Sequence, residues 1–245
     1  MRLDLYTTPS ALTDAQTKGR LVVVIDVLRA SSTIVHACEN GVERIIPVAE
    51  VEDATRLLPT LERSKALLGG ERDAREIEGF DLGNSPLEYP SRVVKGKTLI
   101  LCTSNGTSAI TRSAAASEIV VGSFLNLGAV VTRLSSSRAK SAAILCAGNL
   151  GQLSIEDVVC GGLIVERFVS GCRRQIDLND GAVAARTIAA SMPDIGAVVR
   201  NSAHGRRLSE LGFEDDLEFC SRIDKYGTLP IVEDGRISGP DSLKR

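Results

Sequence analysis

Three stretches of this chain are apolar at every position and end in the same kind of turn, which constrains the fold more than any other feature. Leu21-Val22-Val23-Val24-Ile25 leads into Asp26-Val27-Leu28-Arg29-Ala30-Ser31-Ser32-Thr33 and a helical stretch to about Glu39. Thr98-Leu99-Ile100-Leu101-Cys102 leads into Thr103-Ser104-Asn105-Gly106-Thr107-Ser108 and an Ala-rich helix to about Ala116. Ala142-Ala143-Ile144-Leu145-Cys146 leads into Ala147-Gly148-Asn149-Leu150-Gly151 and a helix from Ser154 to about Ser170. Short runs without a polar face suit strands covered on both sides, as in a parallel sheet between helical layers. The expected fold is α/β, a three-layer α/β/α arrangement with a largely parallel or mixed sheet.

Shorter strand candidates are Arg44–Val48, Ala66–Leu68, Glu118–Gly122 and Gly196–Val199, with a late one at Leu229–Glu233. Further helices fit at Val51–Arg63, Asn126–Ser136, Asp180–Ser191, His204–Leu211 and Glu214–Cys220. No clean linker interrupts the series. The 245 residues are read as one domain, which could be bilobal, with Val93–Thr98 as the candidate hinge.

In open α/β sheets ligands bind beyond the carboxyl ends of the strands. Each of the three turns there opens a helix, whose N-terminus offers free N–H groups and partial positive charge to an anion. Ser32, Thr107 and Ser154 could equally be ordinary helix caps. The segment from Leu67 to Pro86 adds a second signal. It carries Glu71, Glu78 and Asp81, the arginines Arg72 and Arg75, and several glycines, with almost no apolar period. It reads as a long irregular connection with a use, although a solvated charged loop would look similar.

Composition removes several function classes. A net charge of −2 lacks the basic surplus needed for general binding to nucleic acid or to an anionic membrane. No apolar run approaches a membrane span and Met1-Arg2-Leu3-Asp4 has no signal-peptide core, so a cytoplasmic location is expected. The six cysteines contain no C-x-x-C pair and are expected to be reduced and buried. Two histidines make a His-based metal site improbable.

Familiar phosphate motifs fail one at a time. Gly96-Lys97-Thr98 lacks the earlier glycine of a P-loop, because Ser91 stands there, and a strand follows it. Gly148-Asn149-Leu150-Gly151 is not a dinucleotide fingerprint. Neither Cys102 nor Cys146 has an arginine six residues on, Asp26 is not followed by an aspartate at Leu28, and His204 is preceded by Ala203. What remains is a hard cation held by oxygen: Mg²⁺ takes one or two carboxylates, waters and phosphate oxygens. Asp26, Glu71, Glu156 and Asp157 are the candidate ligands, any two or three of which could meet. Each acid taken singly could instead be solvated or favour a helix start.

These residues fall in blocks that resemble the 2-phosphosulfolactate phosphatase family. The blocks are Val24–Thr33, Gly69–Arg72, Ile77–Pro86, Thr103–Thr107, Gly122–Asn126, Cys146–Asn149, Ser154–Asp157, Leu178–Asp180 and Ser202–Gly205. They run in order from about Asp26 to about Cys220, and Ser31 and Asn149 are conservative departures from the threonines expected there. The resemblance implies a Mg²⁺-dependent phosphomonoesterase, associated with coenzyme M biosynthesis, that converts (2R)-2-phospho-3-sulfolactate to 3-sulfolactate and phosphate. It places Asp26, Glu71 and His204 in catalysis, with His204 donating a proton to the leaving alkoxide. Arg29 and Arg72 become candidates for an anion clamp, although Arg72 could instead pair with Glu71 or Glu78. Ser31, Ser32, Thr33, Ser104, Asn105, Gly106, Thr107 and Asn149 become candidates for cradling the rest of a small polyanionic ester. Another phosphorylated hydroxy acid, or a non-catalytic anion-binding module, would satisfy the same residue pattern. The oligomeric state stays open, a homodimer resting only on the general frequency of twofold assemblies.

Overall fold

The computed structural model describes residues 1–11, 13–173 and 175–239. Its strands are β1 (Arg2–Tyr6), β2 (Leu21–Ile25), β3 (Arg44–Val48), β4 (Ala66–Arg72), β5 (Arg75–Glu76), β6 (Thr98–Cys102), β7 (Glu118–Gly122), β8 (Ser141–Cys146), β9 (Asp177–Leu178), β10 (Ile231–Glu233) and β11 (Arg236–Ser238). Its helices are α1 (Asp14–Thr17), α2 (Ala30–Glu39), α3 (Val51–Leu57), α4 (Ser91–Val94), α5 (Gly106–Arg112), α6 (Leu127–Ser136), α7 (Ile155–Gly171), α8 (Asp180–Ser191), α9 (Ile195–Asn201), α10 (Ala203–Glu210) and α11 (Glu214–Cys220).

All the strands join one mixed sheet, ordered β5-β4-β6-β3-β11-β10-β7-β2-β8-β1-β9. Two parallel blocks, β4-β6-β3 and β7-β2-β8-β1-β9, are joined by the antiparallel hairpin β10–β11. The register carries one face across the hairpin. Val22 pairs with Ile119, Ile119 with Val232, Val232 with Ile237, Ile237 with Ile45, Ile45 with Leu99, and Leu99 with Leu67. With a side-chain period of two, these residues share a face, and α2 and α5 cover it with Ile34, Ala37, Ala109 and Ile110. The opposite face is split. Val23, Ile25, Val120 and Ile144 pack under α6, α7 and α8, while Leu68, Ile100 and Cys102 pack with Ala54 of α3. Strands covered on both sides explain why the sequence shows continuous apolar runs.

Two local expectations change. Gly196–Val199 lies in α9 rather than in a strand: Asp194 caps its N-terminus by accepting from the Ala197 N–H at 2.9 Å. The segment from Leu67 begins as a buried strand, because β4 pairs with β6 as far as Gly70 and Cys102. The two glycines hide its character. Gly70 has φ +142°, and a Cβ there would lie 1.9 Å from the Cys102 carbonyl oxygen, so the close approach needs a residue without one. All six cysteines are free, and five are buried. Val93–Thr98 forms the end of α4 and the start of β6.

Candidate active site

Asp26 follows the last residue of β2, and its side chain is buried in the turn that starts α2. That turn closes on Asp26 itself. The Asp26 N–H donates to Ser31 Oγ at 2.9 Å, the Ser31 N–H donates to the Asp26 carbonyl at 2.8 Å, and the Ala30 N–H donates to the carboxylate. A second helix start meets it there. A Cβ on Gly106, the first residue of α5, would lie 2.7 Å from Asp26 Oδ2 and 2.5 Å from Ala30 Cβ. Only glycine lets the two helices approach this closely.

Three more carboxylates border this point. Asp157, in the first turn of α7, accepts from the Val27 N–H at 2.8 Å and from the Gly148 N–H at 3.1 Å, stitching the turns after β2 and β8 together. Glu71, near the end of β4, accepts from the Ser104 N–H at 2.7 Å, the Ser104 hydroxyl at 3.2 Å and the Ala74 N–H at 2.9 Å. Glu156 is held by its own N–H and by the hydroxyls of Ser154 and Ser202. Ser202 also caps α10, whose first turn carries His204. The starts of α2, α5, α7 and α10 are thereby gathered about one group of acids.

Electrostatics follow from that crowding. Burial, then Glu71 and Glu156, push the Asp26 carboxyl up to about 7. Burial, Asp26 and Glu156 raise Asp157 well above the ordinary carboxylate range, and burial raises Glu156. The site carries more negative charge than its own groups neutralise. No group of three or more His, Cys, Asp or Glu side chains among the described residues is arranged to hold a metal ion. Mg²⁺ does not require one, since one or two carboxylates with waters and phosphate oxygens suffice. Asp26 fits such a role: it is acidic, buried and repelled by its neighbours.

The other candidates divide by what already occupies them. Arg29 is buried, pairs with Asp216 at 2.8 Å, donates to the Ala74 carbonyl at 3.0 Å and lies 4.3 Å over the Phe213 ring. Arg72 pairs with neither Glu71 nor Glu78; it donates to the Ala49 carbonyl at 2.5 Å, the Glu71 carbonyl at 3.1 Å and Cys102 Sγ at 3.3 Å. The hydroxyls of Ser32, Thr33 and Thr107 are buried and donate to the carbonyls of Val27, Asn84 and Thr103. They hold their turns together. Ser104 is exposed, and the half-buried side chains of Asn105 and Asn149 make no hydrogen bond among the described residues. His204 has no hydrogen-bond partner on either ring nitrogen among the described residues. Burial and the Arg29 charge lower its pKa against the opposing pull of Glu71, so the ring is neutral at pH 7. That favours a proton acceptor over the proton donor expected for it.

Parts of the charged segment serve structure instead. Asp81 accepts from the Leu68 N–H at 2.8 Å and pairs with Arg63, while Glu78 is exposed. Sequence reasoning missed Asp216, which binds Arg29 and accepts from the Ser85 hydroxyl at 2.6 Å. It stands in the acidic first turn of α11, where a dipole-stabilising acid is the ordinary reading. The β4–β5 hairpin was missed too. Its tip residues Asp73 and Ala74 have φ of 53° and 65°, and it delivers the Ala74 carbonyl to Arg29 and the Ala74 N–H to Glu71.

Comparison with known proteins accounts for this arrangement. A family model described as 2-phosphosulpholactate phosphatase matches residues 6–235, nearly the whole chain and every element of the site. The chain belongs to the 2-phosphosulfolactate phosphatase family. It is 40% identical over 238 residues to the "Probable 2-phosphosulfolactate phosphatase" of Caldanaerobacter subterraneus subsp. tengcongensis, covering 96% of this chain and 97% of that protein. The protein of the same name from Clostridium acetobutylicum is 38% identical, covering 97% of this chain and 100% of its own length. That from Thermotoga maritima is 43% identical, covering 88% and 90%. At the level of the 2-phosphosulfolactate phosphatase family, the activity is that of a phosphatase.

Proposed function

We propose that this protein is a Mg²⁺-dependent phosphomonoesterase that hydrolyses (2R)-2-phospho-3-sulfolactate to 3-sulfolactate and phosphate. The observation that carries the reading is the Asp26 carboxyl, pushed up to about 7 by burial and then by Glu71 and Glu156 at the meeting point of four helix starts. Such a site is short of positive charge, and phosphoryl transfer depends chiefly on positioning and charge neutralisation. Asp26, with Glu156, would hold Mg²⁺, which when bound would neutralise phosphate oxygens and lower the pKa of a water, while Glu71, whose two oxygens already accept from the Ser104 and Ala74 N–H groups, would border the site. Asp157 has both oxygens engaged by backbone N–H groups, so its part is to fix the turns after β2 and β8.

The chain's own groups supply the rest. The turn at Asn105 and Gly106 would offer backbone to the ester, and Asn105 and Asn149 would bring amides that have no partner among the described residues. Arg29 adds a guanidinium whose orientation is fixed by Asp216, Ala74 and Phe213. His204, whose ring nitrogens have no partner among the described residues and whose pKa is lowered by burial and the Arg29 charge, would take a proton from the attacking water.

The test is phosphate release from phosphosulfolactate, phospholactate and an aryl phosphate, each with Mg²⁺ and with EDTA. Mg²⁺-dependent turnover that prefers the sulfonate is expected. Turnover of phospholactate at equal efficiency would move the assignment to another phosphorylated hydroxy acid. Binding without release, indifferent to EDTA, would leave an anion-binding module.

A further inference from the structure

Asn84 stands out among the buried polar groups. It is 4% exposed, and its Oδ1 is buried with no hydrogen-bond partner among the described residues. Its Nδ2 has no partner either. Buried amides are normally satisfied, and one left open burdens the fold unless something else completes it. The other such atom, Arg20 Nε, belongs to a guanidinium already bonded to Asp4, Gln16 and Ala142, so its side chain has a structural use. Asn84 has no such use for its side chain.

Its backbone is fixed on both sides by the candidate site. The Asn84 carbonyl accepts from Thr33 Oγ1 at 2.8 Å in the first turn of α2. Next to it, Ser85 donates to Asp216 at 2.6 Å, and Asp216 holds Arg29. The preceding Gly83 carbonyl accepts from Tyr89 Oη at 2.5 Å and from the Gly70 N–H at 3.2 Å. The residue is therefore held rigidly between the Asp26 helix and the Arg29 pair, with only its amide unused. The two ends of an amide are interchangeable by rotation, so the amide can turn a donor toward an oxyanion.

We infer that Asn84 is a specificity-determining residue that donates its side-chain N–H to a carboxylate or sulfonate oxygen of the substrate, beside Arg29. The inference rests on the phosphatase reading for the identity of the ester. A neutral donor in a dry position discriminates strongly, because a ligand lacking the acceptor leaves the amide unpaired.

The experiment compares the full-length wild type with Asn84→Leu, which keeps the branched shape in a somewhat larger side chain and removes both polar atoms, and with Asn84→Ala. KM and kcat on phosphosulfolactate are measured with Mg²⁺, together with Tm with and without 3-sulfolactate. The expected result is a KM raised about tenfold or more with kcat within about threefold, and a Tm equal to or above wild type in Asn84→Leu. The Tm increase that 3-sulfolactate gives the wild type should shrink in both variants to what a loss of affinity of about tenfold or more leaves. Unchanged KM, or a lowered Tm with loss of kcat alone, would reduce Asn84 to a structural residue. Should Asn84→Leu not fold, Asn84→Ala is judged by the same KM. If the wild type hydrolyses no ester, the phosphatase reading fails by itself. Asn84 then stands or falls on whether the 3-sulfolactate shift in Tm shrinks in the variants, and absence of any shift in the wild type overturns it.

Discussion

Arg29 and Asp216 form a buried ion pair, Nη1 to Oδ2 at 2.8 Å, with both side chains 2% exposed. It joins the turn after β2 to α11 across 187 residues of sequence. Removing one partner of such a pair leaves a charge with neither water nor counter-ion, which costs far more than the pair contributes.

Asp216→Asn should therefore destabilise the protein by about 3 kcal/mol in urea unfolding. It also leaves the Arg29 charge uncompensated, so KM for a polyanionic ester should fall while stability is lost. A variant as stable as wild type would show that Asp216 does not neutralise Arg29 in solution.

Gly70 and Gly79 both have positive φ but differ in surroundings. A Cβ at Gly70 would lie 1.9 Å from the Cys102 carbonyl oxygen, whereas one at Gly79 meets nothing within 4 Å. Gly79→Ala should cost about 1 kcal/mol, the strain of the backbone alone. Gly70→Ala should separate the ends of β4 and β6, displace Glu71 from Ser104, and lower Tm by more than about 5 °C together with activity. Thermal melts and turnover on the two variants check this, and equal effects would refute the close approach.

The parallel core was legible in the sequence because Leu21–Ile25, Thr98–Cys102 and Ser141–Cys146 are covered on both faces and look it. Of the β10–β11 hairpin only β10 was, inside the late strand expected at Leu229–Glu233: β11 is three residues long, and the pairing of the two with β7 and β3 is settled only by the long-range register. Ala66–Leu68 was read as a strand, but Gly69 and Gly70 disguised the rest of β4, since residues chosen for close approach carry no side-chain period. In the site, Asp26 could be singled out by its place at a strand end, and Glu71 by its place in the charged, glycine-rich segment after Leu68. Asp216 could not, because an acid in a helix's first turn usually has a local explanation, and its partner Arg29 is remote in sequence.

Asp26→Asn removes a carboxylate that Glu71 and Glu156 repel. At pH 8, without divalent cation, the variant should melt higher than wild type, because the like-charge conflict is gone. Its Mg²⁺-dependent phosphatase activity should fall by about three orders of magnitude or more, and added Mg²⁺ should no longer raise its Tm. Near-normal turnover in Asp26→Asn would remove Asp26 from the metal site.

The same carboxyl makes stability depend on pH, and on the proposed metal site it would make Mg²⁺ binding depend on pH in the opposite sense. Its value is about 7 in the folded chain against 3.8 for an ordinary aspartate, so between those limits the folded state binds more proton than the unfolded one. This contribution to apo stability is fully present below about 3.8 and is lost as pH rises through about 7. Other groups titrate in the same window, so the quantity to measure is the difference between wild type and Asp26→Asn. In urea without Mg²⁺ that difference should move against wild type from pH 5 to pH 8. On the proposed metal site, Mg²⁺ would have to displace the Asp26 proton, so its affinity should fall about tenfold for each pH unit below 7. Calorimetry in two buffers of different ionisation enthalpy should show about one proton released per Mg²⁺ at pH 6 and almost none at pH 8.5. A Mg²⁺ affinity independent of pH across that range would mean that the cation is held elsewhere.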